Sequence, residues 1–443
     1  MSKLTRNGAD KHFGREKCMK SLSAVLISAV LLCTFAGCGS TSRKSLESEP
    51  TVETEPVASL DVDSAESICA EYKTVTDGNF PGKVAVKGLE ASSYSGCYLI
   101  SDGAYYTDGF AGTDRVSFVD FKTLNTFPLC AKPNCLHDDP DACTAFGLSS
   151  GMNVSLCSYG GSIYYVENVR EMSAKNGIST WADVYKANAD GSGRKKVASA
   201  DGVALGSLFV SENKGYTVAS EEILDENGIP TQEYNNYLES FDFETNELKS
   251  LGLLSHVYSS DSQGVIGEYG GKIYYMSVGA EQLPDGVEKT SPDYFDKLHA
   301  LTVTRIFSLD PKTEEICESE LPLPGNREGL RWSGPDIVAA AEGFYVCQQG
   351  DTAIIASPDG SLRKIENHRI SERAADYPVN GMMFNSETML ATELATGDIY
   401  KLKPGAIDEN ESVIAYYNGE YIILGQFTRE FRKLSPDGLF EKE

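Results

Sequence analysis

Residues Tyr159–Glu167 read Tyr-Gly-Gly-Ser-Ile-Tyr-Tyr-Val-Glu, and Tyr269–Ser277 repeat the pattern as Tyr-Gly-Gly-Lys-Ile-Tyr-Tyr-Met-Ser. In each copy two glycines precede a run of β-branched and aromatic residues, which favours a tight turn followed by a half-buried strand. Looser copies occur at Asp102-Gly103, Lys214-Gly215, Glu342-Gly343, Asn418-Gly419 and, in degraded form, Ser386-Glu387. In chain order, the four turns nearest the start of the chain are about 55 residues apart, which is the spacing of propeller blades with insertions.

A second strand pair follows each glycine turn. Val184–Asn188 leads into Asp190-Gly191-Ser192-Gly193, and Glu430–Leu434 leads into Pro436-Asp437-Gly438. Such polar turns join the strands of hairpins. Each unit is therefore predicted to be a four-stranded antiparallel blade, and the chain an all-β propeller of about seven such blades. The competing folds are a stacked sandwich and a β-solenoid, and the variable repeat length disfavours the solenoid.

One blade resembles a known repeat. Val184-Tyr185-Lys186-Ala187-Asn188, followed by the polar turn and Arg194-Lys195-Lys196-Val197, is similar to the YWTD-type repeat of low-density-lipoprotein-receptor-like propellers. Bacterial lipoproteins with a DUF5050-like propeller domain, an uncharacterised Gram-positive family, carry repeats of this type. The resemblance implies a propeller fold and implies no activity.

The chain begins with features of an exported lipoprotein. Leu22–Ala36 is an apolar run behind Lys20 that is short for a membrane span and suits a signal-peptide core. Phe35-Ala36-Gly37-Cys38 resembles a lipobox, whose cysteine thiol receives the diacylglycerol and whose chain is cut just before it. We therefore interpret residues 1–37 as a signal peptide, with Met19 as the true start, and Cys38 as the lipidated residue. The alternative is an uncleaved transmembrane anchor.

A linker and the propeller follow the signal peptide. Gly39–Glu66 is rich in Ser, Thr, Pro and Glu and has little to bury, so we expect a disordered acidic stalk over residues 38–70. Residues 71–443 are assigned to the propeller. The predicted location is the extracellular face of the cell membrane of a Gram-positive bacterium. The formal net charge of -26 argues against nucleic acid as a partner, because phosphates would be repelled.

The densest group of potential ligands lies in a predicted loop. Cys130, Cys135, His137 and Cys143 offer three thiols and one imidazole within a short stretch, the ligand set of a Cys₃His zinc site. Four protein ligands would leave no open position for a reacting water, so the predicted zinc is structural, and we expect no other cofactor. Disulfide bonding is equally compatible with the cysteines after Cys38, which are Cys69, Cys97, Cys130, Cys135, Cys143, Cys157, Cys317 and Cys347.

The longest connections should lie on one face of the propeller. We predict three long loops between the second and third strands of consecutive blades, at Asn168–Asp183, Glu221–Leu238 and Gly279–Thr304, and a long interblade segment at Ala131–Met152. Loops that accumulate on one face of a rigid scaffold often form a binding site. Trp181, near the end of the first loop, could stack on a sugar or contact a partner, or pack against the sheet edge.

The leading hypothesis is a lipid-anchored, monomeric binding or scaffold module for an extracellular glycan or an envelope partner. The alternative is a surface glycan-active enzyme, a lyase or a hydrolase, built on a propeller. The sequence leaves open whether the protein is an enzyme. His256, His299 and His368 stand apart from other candidate residues and are interpreted as surface or strand histidines.

Overall fold

In the residues that the structure, a computed structural model, describes, the regular secondary structure is almost entirely β. It describes residues 66–68, 72–73, 97–107, 115–139, 142–146, 149–150, 153–154, 156–173, 177–287, 291, 293–318, 336–340, 343–347, 352–356, 362–366, 379–393, 396–425 and 427–442. Cys38, the predicted signal peptide and His368 lie outside these residues. None of the described helices is both long and apolar enough to cross a membrane.

The first half of the described chain forms two short strands and then blades 1 to 3. The strands are β1 (Glu66–Ile68), β2 (Tyr72–Lys73), β3 (Cys97–Ile100), β4 (Gly103–Thr107), β5 (Val116–Asp120), β6 (Thr126–Pro128), β7 (Ser149–Ser150), β8 (Asn153–Val154), β9 (Leu156–Tyr159), β10 (Ser162–Ser173), β11 (Gly177–Asn188), β12 (Lys195–Asp201), β13 (Ala204–Leu205), β14 (Phe209–Ser211), β15 (Lys214–Leu224), β16 (Pro230–Asp242) and β17 (Leu248–Val257). Blade 1 contains β3–β6, blade 2 contains β9–β12 and blade 3 contains β13–β17, while β7 and β8 form a separate ribbon.

The second half forms blades 4 to 6 and a last sheet. Its elements are β18 (Ser259–Tyr269), β19 (Lys272–Ala280), α1 (Tyr294–His299), β20 (Thr302–Leu309), β21 (Ile316–Glu318), β22 (Asp336–Ala340), β23 (Gly343–Cys347), β24 (Thr352–Ala356), β25 (Leu362–Glu366), β26 (Met382–Asn385), β27 (Leu390–Glu393), β28 (Ile399–Lys401), β29 (Glu411–Tyr417), β30 (Glu420–Gly425), β31 (Phe431–Leu434) and α2 (Pro436–Leu439). Blade 4 contains β18–β21, blade 5 contains β22–β25 with β1, blade 6 contains β26–β28 with β2, and the last sheet contains β29–β31.

The glycine turns have the conformation that the repeat predicts. Gly160 and Gly161 have φ of 57° and 74°, and Gly270 and Gly271 have φ of 60° and 77°. Two consecutive residues with positive φ match the twist of an antiparallel hairpin, and glycine adopts them without steric strain. Each turn joins the first strand of a blade to the second, as β9 to β10 and β18 to β19. The predicted order of first strand, glycine turn and second strand is confirmed in these blades.

Aromatic residues from the repeats pack between blades. Tyr105 of β4, Tyr164 of β10 and Phe241 of β16 belong to one buried core that spans blades 1 to 3. Tyr216 of β15 and Tyr275 of β19 belong to a second core between blades 3 and 4. Complete burial of a large apolar side chain contributes about 1.5–3 kcal/mol, so these interblade residues are a main source of stability.

The circle of sheets is closed by contacts between the two ends of the array. Strand β18 of blade 4 lies against β22 of blade 5. Phe384 of blade 6 packs with Tyr421 of the last sheet, and Ile422 of the last sheet lies in one core with Tyr106 of blade 1. The rings of Tyr106 and Phe431 meet edge to face at 4.8 Å. The fold is therefore a β-propeller.

The prediction of seven four-stranded blades is wrong in its count. Six sheets have four or five strands, and the last sheet has three within the described chain. The reason lies in residues Pro436–Leu439, which were expected to form a hairpin turn into a fourth strand. Ser435 caps them as the short helix α2, and Phe440 then pairs with Leu402 of blade 6. Phe440 is fully buried there, so its burial directs the chain away from the last sheet.

The segment that enters the propeller also differs from expectation. Glu66–Ile68, assigned to the disordered stalk, forms β1 and pairs in parallel with β25 at the outer edge of blade 5. Tyr72–Lys73 forms β2 and pairs in parallel with β28 of blade 6. The entering chain therefore contributes the outermost strand of two successive blades.

Two of the predicted loops are strands instead. Strands β10 and β11 pair without interruption from Ser162 opposite Asn188 to Ser173 opposite Gly177. Strands β15 and β16 pair from Lys214 opposite Asp242 to Leu224 opposite Pro230. These extensions are rich in polar residues, several of which are buried, so they lack the alternation of apolar residues by which a half-buried strand is recognised. We call them the extended hairpins.

The third predicted loop, between Ala280 and Thr302, contains helix α1. Tyr294 and Leu298 of this helix are buried against Ala280. The second strand of each blade runs from the glycine turn toward the opposite face. Both extended hairpins and this helical insertion therefore project from the same side of blades 2, 3 and 4.

Candidate metal centre

The Cys/His cluster lies in the connection between blades 1 and 2. This segment has little regular structure, and backbone contacts fix it to strand β5: Leu129 N–H donates to Val116 O at 2.9 Å, and Val116 N–H donates to Ala145 O at 2.8 Å. The Arg115 guanidinium donates to the carbonyl of His137 at 3.1 Å. His137 has a φ of 59°, a left-handed conformation that points its ring back toward the cysteines.

The four predicted ligands converge. The Sγ atoms of Cys130, Cys135 and Cys143 and a ring nitrogen of His137 all lie within 4.8 Å of one another. His137 Nδ1 is 3.4 Å from Cys143 Sγ. Cys143 is buried and the other three residues are half-buried. The cluster that the sequence spacing predicts is therefore assembled in the folded chain.

Local hydrogen bonds polarise the thiols. Burial opposes ionisation of the Cys130 thiol, but the nearby Thr144 side chain and the backbone N–H groups of Lys132 and Thr144 lower its pKa to about 6. Burial raises the pKa of Cys143 to about 11, and its hydrogen bonds with Cys130 and Cys135 act in the same direction. A bound cation would favour the thiolate form of all three cysteines.

The donor set fits a tetrahedral thiolate site. Zn–S bonds of about 2.3 Å place neighbouring ligand atoms about 3.8 Å apart in a tetrahedron. Since the ligand atoms lie within 4.8 Å of one another, small side-chain movements would close the cluster around an ion. Soft thiolate ligands with one imidazole favour zinc over magnesium or calcium, which prefer oxygen. These four side chains could hold a metal ion.

No disulfide joins the cysteines whose side chains the structure describes. They are Cys97, Cys130, Cys135, Cys143, Cys157 and Cys317. Cys97 and Cys157 are buried within blades 1 and 2, and Cys317 is exposed in β21.

Side-chain contacts between blade 2 and blade 3 connect the two extended hairpins. Arg170 of β10 contacts Glu222 of β15 at 3.0 Å, and the Glu222 side chain is only 4% exposed. The Asn168 side chain donates to Leu205 O at 2.9 Å and accepts from Leu205 N–H at 3.0 Å. These contacts join blade 2 to blade 3, and they hold the two projecting hairpins in a fixed relative position.

Trp181 lies within strand β11 and not at the end of a loop. It pairs with Val169 of β10 and Asp201 of β12 and is half-buried. Its predicted contact with a ligand or partner stays a prediction.

Sequence reasoning missed several residues that shape these sites. Arg115, Thr144 and Arg170 act through contacts with residues far along the chain or through a turn that the sequence does not specify. The sequence indicates a surface or strand histidine at position 256; His256 lies in β17, and the sequence does not indicate its hydrogen bond to Asn235 of β16. Cross-strand register was the missing signal in that case.

No protein-family profile matches the chain, and no curated protein matches it. Among solved structures, the chain is similar to an oligogalacturonate lyase in complex with manganese, at 10% identity over 70% of this chain and 73% of that chain, with a TM-score of 0.34. An oligogalacturonate lyase from Vibrio parahaemolyticus gives 9% identity, 83% and 85% coverage and a TM-score of 0.33. A puromycin hydrolase gives 10% identity, 83% and 56% coverage and a TM-score of 0.39. At these values the similarity supports no inference about activity, and the propeller assignment rests on the strand order.

Proposed function

We propose that this protein is an exported lipoprotein, anchored through Cys38, whose propeller binds an extracellular glycan or an envelope protein. The observation that carries the binding role is the braced pair of extended hairpins on neighbouring blades. A surface whose parts are already fixed loses little conformational entropy when it binds, so more of the contact energy appears as affinity. Scaffolds that project elements from one face use that face for recognition.

We also propose that Cys130, Cys135, His137 and Cys143 hold a structural zinc ion. The support is the convergence of their ligand atoms and the scarcity of regular structure between β6 and β9. Four protein ligands complete a tetrahedron and leave no position for a substrate or a reactive water. The ion would stabilise the connection between blades 1 and 2 without taking part in chemistry.

Anchoring is tested by fractionating cells that produce the full chain. Cys38→Ala should move the protein from the membrane fraction to the medium and abolish its labelling by a fatty-acid analogue. Cys33→Ala removes a thiol from the apolar run and should change neither result. Unchanged labelling of the Cys38→Ala protein would contradict lipidation at Cys38, and membrane retention without labelling would indicate that the uncleaved apolar segment holds the protein in the membrane.

Binding is tested by presenting the purified protein to a polysaccharide array and analysing the retained samples for products. We expect retention without turnover. A variant whose residues 224–232 are replaced by Asn-Gly keeps Ile223 opposite Glu233 across a two-residue hairpin turn, and it should lose retention while remaining folded. Release of sugar products would favour the glycan-active enzyme instead, and unchanged retention by the shortened variant would exclude the tip of the β15–β16 hairpin from the binding surface.

A further inference from the structure

A chain of hydrogen-bonded side chains crosses the three outer strands of blade 3. The Tyr237 hydroxyl donates to Glu221 Oε2 at 2.9 Å, and Asn235 Nδ2 donates to the same oxygen at 3.2 Å. Asn235 Oδ1 lies 2.9 Å from Nδ1 of His256. These four side chains form one continuous hydrogen-bond network that ends at the imidazole of His256. We call this network the histidine relay.

Strand register holds the histidine relay in place. Glu221 of β15 lies opposite Asn235 of β16, and Asn235 lies opposite His256 of β17. Directly opposed side chains in antiparallel strands are close enough for hydrogen bonds. All three belong to the part of blade 3 that carries the extended hairpin, on the same side as the helical insertion of blade 4.

The relay fixes the tautomer of His256. Since Asn235 Nδ2 donates to a carboxylate, the amide oxygen faces His256 and accepts a proton from Nδ1. In the neutral ring, Nε2 then carries the lone pair. The Tyr258 ring meets the imidazole edge to face at 5.3 Å and restricts its rotation. His256 is half-buried, and its Nε2 has no hydrogen-bond partner among the described residues.

We propose that His256 Nε2 contacts a hydroxyl group of a neutral oligosaccharide bound at the extended hairpins. This inference rests on the proposed binding function and names one contact residue and the ligand class. An oriented ring nitrogen that has no partner in the part of the chain that the structure describes is an acceptor of the kind that fixes a sugar hydroxyl, and the carboxylate, amide and phenol groups beside it are polar groups of the type that line such sites.

Charge decides between neutral and acidic sugars. The chain carries a formal net charge of -26, and Glu221 belongs to the relay itself, with Glu222 next to it on β15. The Arg170 guanidinium is already committed to Glu222. An anionic polysaccharide would be repelled at this surface, whereas a neutral one is unaffected.

The test uses two substitutions, each of which keeps a polar group near one of the two ring nitrogens of His256 and removes the other. His256→Asn places an amide donor near the Nδ1 position and can keep the bond to Asn235, but it removes Nε2. His256→Gln places an amide near the Nε2 position. His299→Asn, the same change in helix α1 and outside the relay, is the matched control.

Retention is measured on starch, xylan and galactomannan as neutral probes and on polygalacturonate as the acidic probe. Loss of one ligand hydrogen bond weakens binding about ten-fold. We therefore expect His256→Asn to bind about ten-fold more weakly than wild type to the neutral polysaccharide that wild type retains. His256→Gln should recover most of the affinity, and His299→Asn should match wild type. Nitrogen NMR of the labelled histidines should show the Nδ1-protonated tautomer for His256 in the free protein and a shift of Nε2 on binding.

The possible results distinguish failure of the proposed His256 contact from failure of the proposed glycan-binding function. Wild-type affinity in His256→Asn, or tighter binding of polygalacturonate than of every neutral probe, overturns the inference and leaves the binding module intact. An Nε2-protonated tautomer overturns it as well. If wild type retains no polysaccharide at all, the glycan-binding function fails and the inference falls with it.

Discussion

The Cys/His loop and the β15–β16 hairpin lie on the same propeller but keep their shape by different means. The described part of the loop between blades 1 and 2 has mostly irregular backbone, and four potential ligand side chains converge within it. The hairpin has a ladder of paired strands, reinforced by Asn235, Glu221 and Arg170. The loop should therefore depend on an added ion, whereas the hairpin depends only on its own chain.

Removing a ligand should have the largest effect and should be confined to the loop. Cys143→Ser is expected to abolish the bound zinc, because a tetrahedral site with three ligands binds far more weakly. Metal analysis should fall from one ion per chain to none, and hydrogen exchange at residues 129–146 should accelerate by at least about a hundred-fold, reflecting the several kcal/mol that structural zinc provides. The β15–β16 amides should keep their protection.

Cys317→Ser is the control, since Cys317 is exposed and does not belong to the cluster. It should retain full metal content. Wild-type protein that contains no metal and has two of Cys130, Cys135 and Cys143 joined in a disulfide would eliminate the zinc centre and make the loop a cross-linked segment instead.

Removing Arg170 should have a smaller effect and should be confined to the hairpins. Arg170→Met leaves the buried Glu222 carboxylate without its cation, and we expect the free energy of unfolding to drop by about 1–2 kcal/mol at neutral pH. Arg305→Met is the matched control: Arg305 is equally exposed at 30%, but its partners Glu281 and Glu318 are 31% and 41% exposed. The control should lose less than about 1 kcal/mol, and neither variant should lose metal.

The loss of unfolding free energy in Arg170→Met should depend on pH because of Glu222. We call this loss the deficit. Burial raises the pKa of this carboxyl group, and Arg170 opposes the rise. Without Arg170 the native state binds the proton more readily than the unfolded chain does, so protonation stabilises the variant. The deficit should be largest at neutral pH and should shrink as the pH falls through the titration of Glu222. Denaturant titrations of Arg170→Met alone and with Glu222→Gln test this, and a deficit that the second change leaves untouched would contradict it.

The sequence predicted those features that depend on local pattern. Gly160-Gly161 and Gly270-Gly271 require positive φ, and the aromatic runs after them require a buried strand, so the blades could be recognised from the repeat. Cys130, Cys135, His137 and Cys143 are close in sequence, so few conformations of a short loop can keep them apart. Their convergence was therefore predictable from spacing.

Features that depend on distant contacts could not be predicted. The pairing of Asn235 with His256 depends on register, and two register shifts in β16 lie close to it. Pro436-Asp437-Gly438 suits both a hairpin turn and a capped helical turn, and the burial of Phe440 in blade 6 decides between them. Strand β1 is too short and too polar to be recognised, and only the free edge of β25 makes it a strand.

The parallel pairing of β1 with β25 and of β2 with β28 determines which blades first receive a force applied to the chain ahead of them. A pull on the chain ahead of Glu66 is transmitted along these edge strands, so blades 5 and 6 take the force first. Blades 2 and 3, which carry the extended hairpins, lie on the other side of the circle. If the chain is anchored as we propose, a pull on its tether would therefore distort blades 5 and 6 while blades 2 and 3 keep their geometry.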